Sequence, residues 1–146
     1  GQGDKNSMSV LSSCIKFNDP KCSYIDWIKN VDSNSIKNYY HIADAFIFAS
    51  SCENMPNILL EMMAAGLPIV CSNKGPMPEI LGDTGLYFDA EKPEIIASSI
   101  LDLIISSDLR SEKAYQSQLR SSGYSWEKCS INTIQYINQI INNHQG

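Results

Sequence analysis

The chain has 146 residues, 43% of them hydrophobic, enough for one globular domain with a core of its own. Its formal net charge of −5, with no dense Lys/Arg cluster and no basic-aromatic interleaving, argues against nucleic-acid binding and against docking on anionic lipid. No apolar run approaches the ~20 residues of a membrane span, no secretory leader is expected, and five cysteines without a Cys-x-x-Cys pair suit a reduced cytoplasm better than a disulfide framework or a zinc site.

In chain order, residues 21–25 read as a strand and residues 35–42 as a helix starting near Asn34. His41 in that helix reads as a packing or surface histidine. The run Ala45-Phe46-Ile47-Phe48-Ala49 has the continuous apolar character of a strand buried on both faces. Ser50, Ser51 and Cys52 then lead out of the sheet, which places Glu53 in a loop. Pro56 suits the first turn of a helix whose apolar face is Ile58, Leu59, Met62, Met63 and Ala65. Gly66 ends this helix in a left-handed conformation, Pro68 prevents its continuation, and residues 68–72 form the next buried strand.

Strand, loop, helix and strand in this order imply a right-handed crossover in a parallel sheet. Gly75 with Pro76 and Pro78 makes a rigid turn, and Pro78-Glu79 opens a short helix ending at Gly82. Residues 83–89 turn into another short strand. Residues 93–106 follow a helical stripe of Ile95, Ile96, Ser99, Ile100, Leu103 and Ile104. A more polar helix over 108–121 and a terminal helix over 125–142 complete an α/β layer fold with no repeat or linker.

The chemistry concentrates around the two glutamates, Glu53 and Glu61. Ligands of parallel sheets bind beyond the carboxyl ends of the strands, where loops and helix starts gather. Glu53 belongs to that crevice, and Glu61, about a turn into the helix, can reach the same end. The N–H groups of Asn57 and Ile58 are candidates to meet a phosphate without any side-chain charge. Two carboxylates flanking such a helix start suit a ligand bearing both hydroxyls and phosphates. Taken alone, two acidic residues at this spacing are better explained as plain helix-start charges that complement the dipole, so the surrounding pattern decides.

That pattern, Glu53-x7-Glu61 with the Pro-Asn helix start, the Gly66-x-Pro68 exit, the Gly75-x-x-Pro78-Glu79 loop and the Thr84-Gly85-x-x-x-Asp89 return, resembles the donor site of retaining GT-B glycosyltransferases, most closely the large bacterial family 4. The 39–44 stretch and the Tyr-Ser-Trp opening of the last helix are similar to that family as well. The resemblance covers nearly the whole chain. It implies a Rossmann-like parallel sheet with flanking helices, residues 1–146 being a partial C-terminal, nucleotide-sugar-binding domain. Gly1-Gln2-Gly3 would be the turn after the second strand, so the first β-α-β elements and the N-terminal acceptor domain would be absent. With them would go the basic pair that holds the diphosphate, and none of the eleven Lys and Arg residues here stands in its context.

The resemblance also implies transfer of a hexose or N-acetylhexosamine from a nucleotide sugar, by default UDP-linked, with retention of configuration. Glu53 is then the catalytic residue, holding donor-sugar hydroxyls. Glu61 takes the ribose diol, Asn54, Met55, Asn57 and Ile58 line the donor, and Gly75, Pro78 and Glu79 form the loop near the base. Neither cofactor nor metal is expected, and the sequence has no Asp-x-Asp. A lipid-linked saccharide acceptor, surface-polysaccharide (O-antigen or capsule) synthesis and a cytoplasmic position at the inner face of a bacterial plasma membrane follow from the same likeness, membrane association running through the absent domain. Relatives often carry glycines where this chain has Asn54 and Pro56; the Pro-Asn form marks a subgroup. A GT-B epimerase or phosphorylase, or a flavodoxin-like non-catalytic binding domain, are the alternatives.

Overall fold

The computed structural model describes residues 4–32 and 34–143; the Gly1-Gln2-Gly3 turn lies outside them. The chain forms two compact units, residues 1–39 and 40–146, which divide within the helix α2 (Ile36–Ile42).

The first unit holds α1 (Lys5–Asn18), a helix absent from the sequence expectation. Asp4 caps it by accepting the N–H groups of Asn6 at 2.9 Å and Ser7 at 3.1 Å. None of its residues is buried, so the cap rather than a packed face defines it. The strand expected over residues 21–25 does not form. Buried Asp19 accepts the backbone N–H groups of Ser23, Tyr24 and Ile25, each at 2.8 Å, and Cys22 takes a φ of +50°. One carboxylate thus consumes the donors that a sheet ladder would need.

Burial acts to raise the pKa of Asp19, but the three N–H donors outweigh it and the carboxyl sits below its usual value. A depressed carboxylate stabilises the fold above its unfolded pKa of ~3.9 and loses that contribution as pH falls through the folded value. Amide exchange at Ser23, Tyr24 and Ile25 is therefore expected to be slow at pH 6 and to lose its protection below about pH 4, ahead of the central strand of the sheet. In Asp19→Ala the protection is absent already at pH 6. Unchanged protection in that variant would show that the turn stands without the carboxylate.

In the second unit the strands β1 (Phe46–Phe48), β2 (Ile69–Ser72) and β3 (Leu86–Phe88) form one parallel sheet in the order β1-β2-β3. Phe46 pairs with Ile69, and Val70 with Leu86. Between β1 and β2 runs α3 (Asn57–Ala64); between β2 and β3 lie α4 (Met77–Leu81) and a 3-10 turn at Gly82–Thr84. All four residues of β2 are buried, and their alternation divides the core. Ile69 and Cys71 join Leu59, Met62, Met63, Met77, Ile80 and Leu81 on the face covered by α3 and α4. Val70 packs with Phe88 and with Leu103 of α5 (Pro93–Ile105) on the other. Each such buried side chain contributes about 1.5–3 kcal/mol.

Burial also lifts the Cys71 thiol to a pKa of about 12, which makes it an inert core residue. β1 departs from the expectation of burial on both faces: it is an edge strand, and Ile47 is 46% exposed.

α3 ends where Gly66 takes a φ of +72° and Leu67 N–H returns to the Met62 carbonyl at 3.2 Å. The helix α6 (Ser107–Ser121) then braces the ends of its neighbours. Gln118 donates to the Ala64 carbonyl of α3, and Arg120 donates to the Glu79 and Ile80 carbonyls of α4 at 2.8 and 2.6 Å. Arg110 donates to the Leu103 and Ile104 carbonyls of α5, and Lys113 to the Asp83 carbonyl of the 3-10 turn. These are the carbonyls that a helix leaves without partners at its C-terminal end, and cations there also complement the dipole. Anchoring α3 and α4 at their far ends fixes where their first turns point. The last helix, α7 (Trp126–Asn143), has no buried residue and carries Ile131, Ile134, Ile137 and Ile141 exposed along it.

Candidate functional site

The loop after β1 and the loop after β2 both leave the carboxyl end of the sheet, and the structure brings them into contact. Gly75 has a φ of +55°, and a Cβ placed there would lie 3.7 Å from the Glu53 carbonyl oxygen and 3.9 Å from its nitrogen. The two backbones therefore run against each other at the point where Glu53 sits. Room exists for a methyl group, but the left-handed conformation disfavours any side chain. Glu53 is half-buried, and among the described residues its carboxylate has no hydrogen-bond or ion-pair partner. Its carboxylate lone pairs are uncommitted.

Pro56 caps α3 rather than occupying its first turn: its carbonyl receives the N–H of Leu59 at 2.9 Å. Asn57 spends its own N–H on the Met55 carbonyl at 3.0 Å, which removes it from the pair of helix-start donors expected from sequence. Ile58 keeps that role. Burial of Leu59, Met62 and Met63 against the core turns Asn57, Ile58 and Glu61 outward, and all three are exposed, as are Asn54 and Met55 in the loop. Pro78 and Glu79 stand exposed on the first turn of α4, whose end Arg120 secures.

One residue that sequence reasoning missed enters here. The Tyr40 hydroxyl donates to Glu61 Oε2 at 2.7 Å across 21 positions of sequence. Tyr40 lies half-buried against the cluster under α3, and burial first, then the bond to Glu61 and its charge, push the phenol up to about 12. Its place in the family-like 39–44 stretch was the only signal available in the sequence. His41 beside it is exposed.

At the end of β3, Asp89 is held below the usual carboxylate range by the Glu91 N–H, by Lys92 at 3.3 Å and, more weakly, by the charge of Lys74. Among the described residues no group of three or more His, Cys, Asp or Glu side chains is placed to hold a metal. A cleft of about 270 Å³ opens elsewhere, between the sheet and α5, lined by Ile47, Val70, Ile100, Leu103 and Ile104 among others. None of the candidate residues lines it; its walls are mainly apolar, with Asp44 and Arg110 among them, so the candidate chemistry and the hollow do not coincide.

An uncommitted carboxylate, a helix start and a glycine loop gather at the carboxyl end of a parallel sheet, the end at which open α/β sheets bind their ligands. The model of the family "Glycosyl transferases group 1" matches residues 23–120, which include every candidate residue, and the chain belongs to that family. It is 30% identical over 111 residues to the O-antigen chain mannosyltransferase B of Escherichia coli, covering 76% of this chain and 29% of that protein. The fold is that of a GT-B transferase domain. It superposes on sucrose-phosphate synthase from Thermosynechococcus elongatus with a TM-score of 0.82 at 16% identity, over 97% of this chain and 36% of the synthase. The C-terminal domain of a glycosyl transferase group 1 family protein from Francisella tularensis gives 0.68 at 26% identity, over 82% of this chain and 63% of that one. The chain thus spans about a third of the length of the curated relatives it matches.

Proposed function

We propose that this chain is the C-terminal, donor-binding domain of a retaining glycosyltransferase that moves a hexose or N-acetylhexosamine from a UDP-sugar to a lipid-linked saccharide. The observation that supports the reading is the contact of the Gly75 loop with the Glu53 backbone, which joins the loops after β1 and β2 at a residue whose carboxylate has no protein partner among the described residues. Glu53 accepts hydrogen bonds from donor-sugar hydroxyls, charge-assisted and in a half-buried position. Glu61 takes the ribose diol, and the Ile58 N–H faces the diphosphate at the start of α3.

In the reaction the bond from the anomeric carbon to the leaving phosphate oxygen breaks. A bond to the acceptor hydroxyl oxygen forms on the same face, and the hydroxyl proton passes to the departing phosphate. Preorganised donors such as the helix start act on the charge that develops there. Asn54 and Met55 border the sugar, and Gly75, Pro78 and Glu79 the base. No metal takes part in this scheme. The candidate residues lie on an open surface because, in this reading, a second domain supplies the opposite wall and the acceptor.

Likeness to an O-antigen mannosyltransferase supports a role in surface-polysaccharide synthesis and adds GDP-mannose as a second choice of donor; the proposed place of action is the inner face of a plasma membrane. Offering the full-length protein UDP-galactose, UDP-N-acetylglucosamine, UDP-N-acetylgalactosamine and GDP-mannose with a lipid-linked saccharide tests this. The expected product keeps the anomeric configuration of its donor, read from the anomeric proton coupling or, for mannose, the one-bond carbon–proton coupling. An inverted product overturns the mechanism, and turnover without any acceptor points instead to an epimerase.

A further inference from the structure

We propose that Tyr40 is a positioning residue for the nucleotide, holding the Glu61 carboxylate in the orientation that receives the vicinal diol of a ribose. The inference deepens the proposed function and rests on its reading of Glu61. A glutamate on an exposed helix face samples many rotamers and must be ordered when a ligand arrives. Here Glu61 is already tied down: its Oε2 accepts from a phenol whose ring packs on the core beneath α3. Tyrosine turns on only two side-chain dihedrals, so an anchored ring fixes its hydroxyl and, through it, the carboxylate.

The single phenol proton occupies one site on Oε2. Oε1 and the remaining lone pairs stay open for two hydroxyls. With its pKa pushed up to about 12, the phenol remains a donor throughout the neutral and mildly alkaline range. The arrangement is thereby matched to a ribonucleotide: a sugar lacking both hydroxyls gains nothing from an oriented carboxylate.

Calorimetry on the full-length protein tests this. UDP, GDP and ADP identify the nucleotide bound, and its 2′,3′-dideoxy analogue serves as the control ligand. Tyr40→Phe keeps the ring packing and removes only the hydroxyl. It is expected to weaken the ribonucleotide by about five- to tenfold while changing the dideoxy analogue by less than about twofold. The KM for the donor rises in parallel with kcat nearly unchanged, and in a Glu61→Gln background the Phe substitution adds nothing.

Equal weakening of both ligands would show a merely structural tyrosine, and no weakening of either would remove its role altogether. Both results leave the reading of Glu61 standing if Glu61→Gln alone lowers ribonucleotide affinity. If Glu61→Gln has no effect, or none of the three nucleotides binds, the reading of Glu61 falls and the inference with it.

Discussion

Glu53→Ala in the full-length protein is expected to lower kcat by about 10²-fold while leaving the affinity for the free nucleoside diphosphate within about twofold of the wild type. The split follows from where the residue stands. The residue is half-buried, its backbone runs beside the Gly75 loop, and its carboxylate meets no protein donor among the described residues, which leaves it open to a ligand. In the proposed site these are hydroxyls of the transferred sugar. A free nucleotide does not carry them. A misplacement of the sugar by about 1 Å suffices for a loss of that order, because the reacting atoms depend on orientation. Steady-state kinetics with saturating donor, alongside calorimetry with the nucleotide alone, separates the two quantities. Folding is not expected to suffer, since the side chain holds no structural bond. A variant with unaltered kcat would remove Glu53 from the reaction.

Glu61→Ala is expected to fail in the opposite way. Two charge-assisted hydrogen bonds to a ribose diol, partly offset by water at an exposed position, correspond to a loss of about ten- to a hundredfold in nucleotide affinity. Activity at ordinary donor concentrations should fall by a similar factor, through KM. The substitution also strands the Tyr40 hydroxyl, but that group is only half-buried and water can replace the carboxylate. The fold should therefore survive, which thermal unfolding of the variant checks. If both alanine variants retain near-normal activity, the glutamate pair is a solvated helix end and nothing more.

Much of this architecture was legible in sequence because punctuation and periodicity agreed. Gly66-x-Pro68 closed α3 where the structure closes it, and the run Pro68-Ile69-Val70-Cys71-Ser72 read as the buried strand that β2 is. The stripe over 93–106 and the helices read over 108–121 and 125–142 located α5, α6 and α7 to within a residue or so. Gly75 and Glu53 were expected at the same end of the sheet, and their backbones do meet there.

What escaped the reading depends on partners that local pattern does not contain. The strand at 21–25 was overruled by Asp19, whose carboxylate gathers three N–H groups from four to six residues ahead. β1 had the composition of a central strand and stands at an edge, because sheet order is not written in a single apolar run. The pairing of Tyr40 with Glu61 bridges two helices and a strand, and no spacing rule reaches that far. At α3 the error was smaller and chemical. Proline became the cap instead of the first residue, and Asn57 turned its N–H inward to Met55, so one helix-start donor remains where two were expected.

Saturation-transfer NMR of the full-length protein with UDP, GDP, ADP and the matching nucleotide sugars, repeated on Glu61→Ala, tests the central claim most directly. The account predicts transfer to the ribose and anomeric protons of one nucleotide sugar, selective for its base and largely lost in the variant. Absence of transfer from every nucleotide in the full-length wild type, or transfer undiminished by Glu61→Ala, would contradict it.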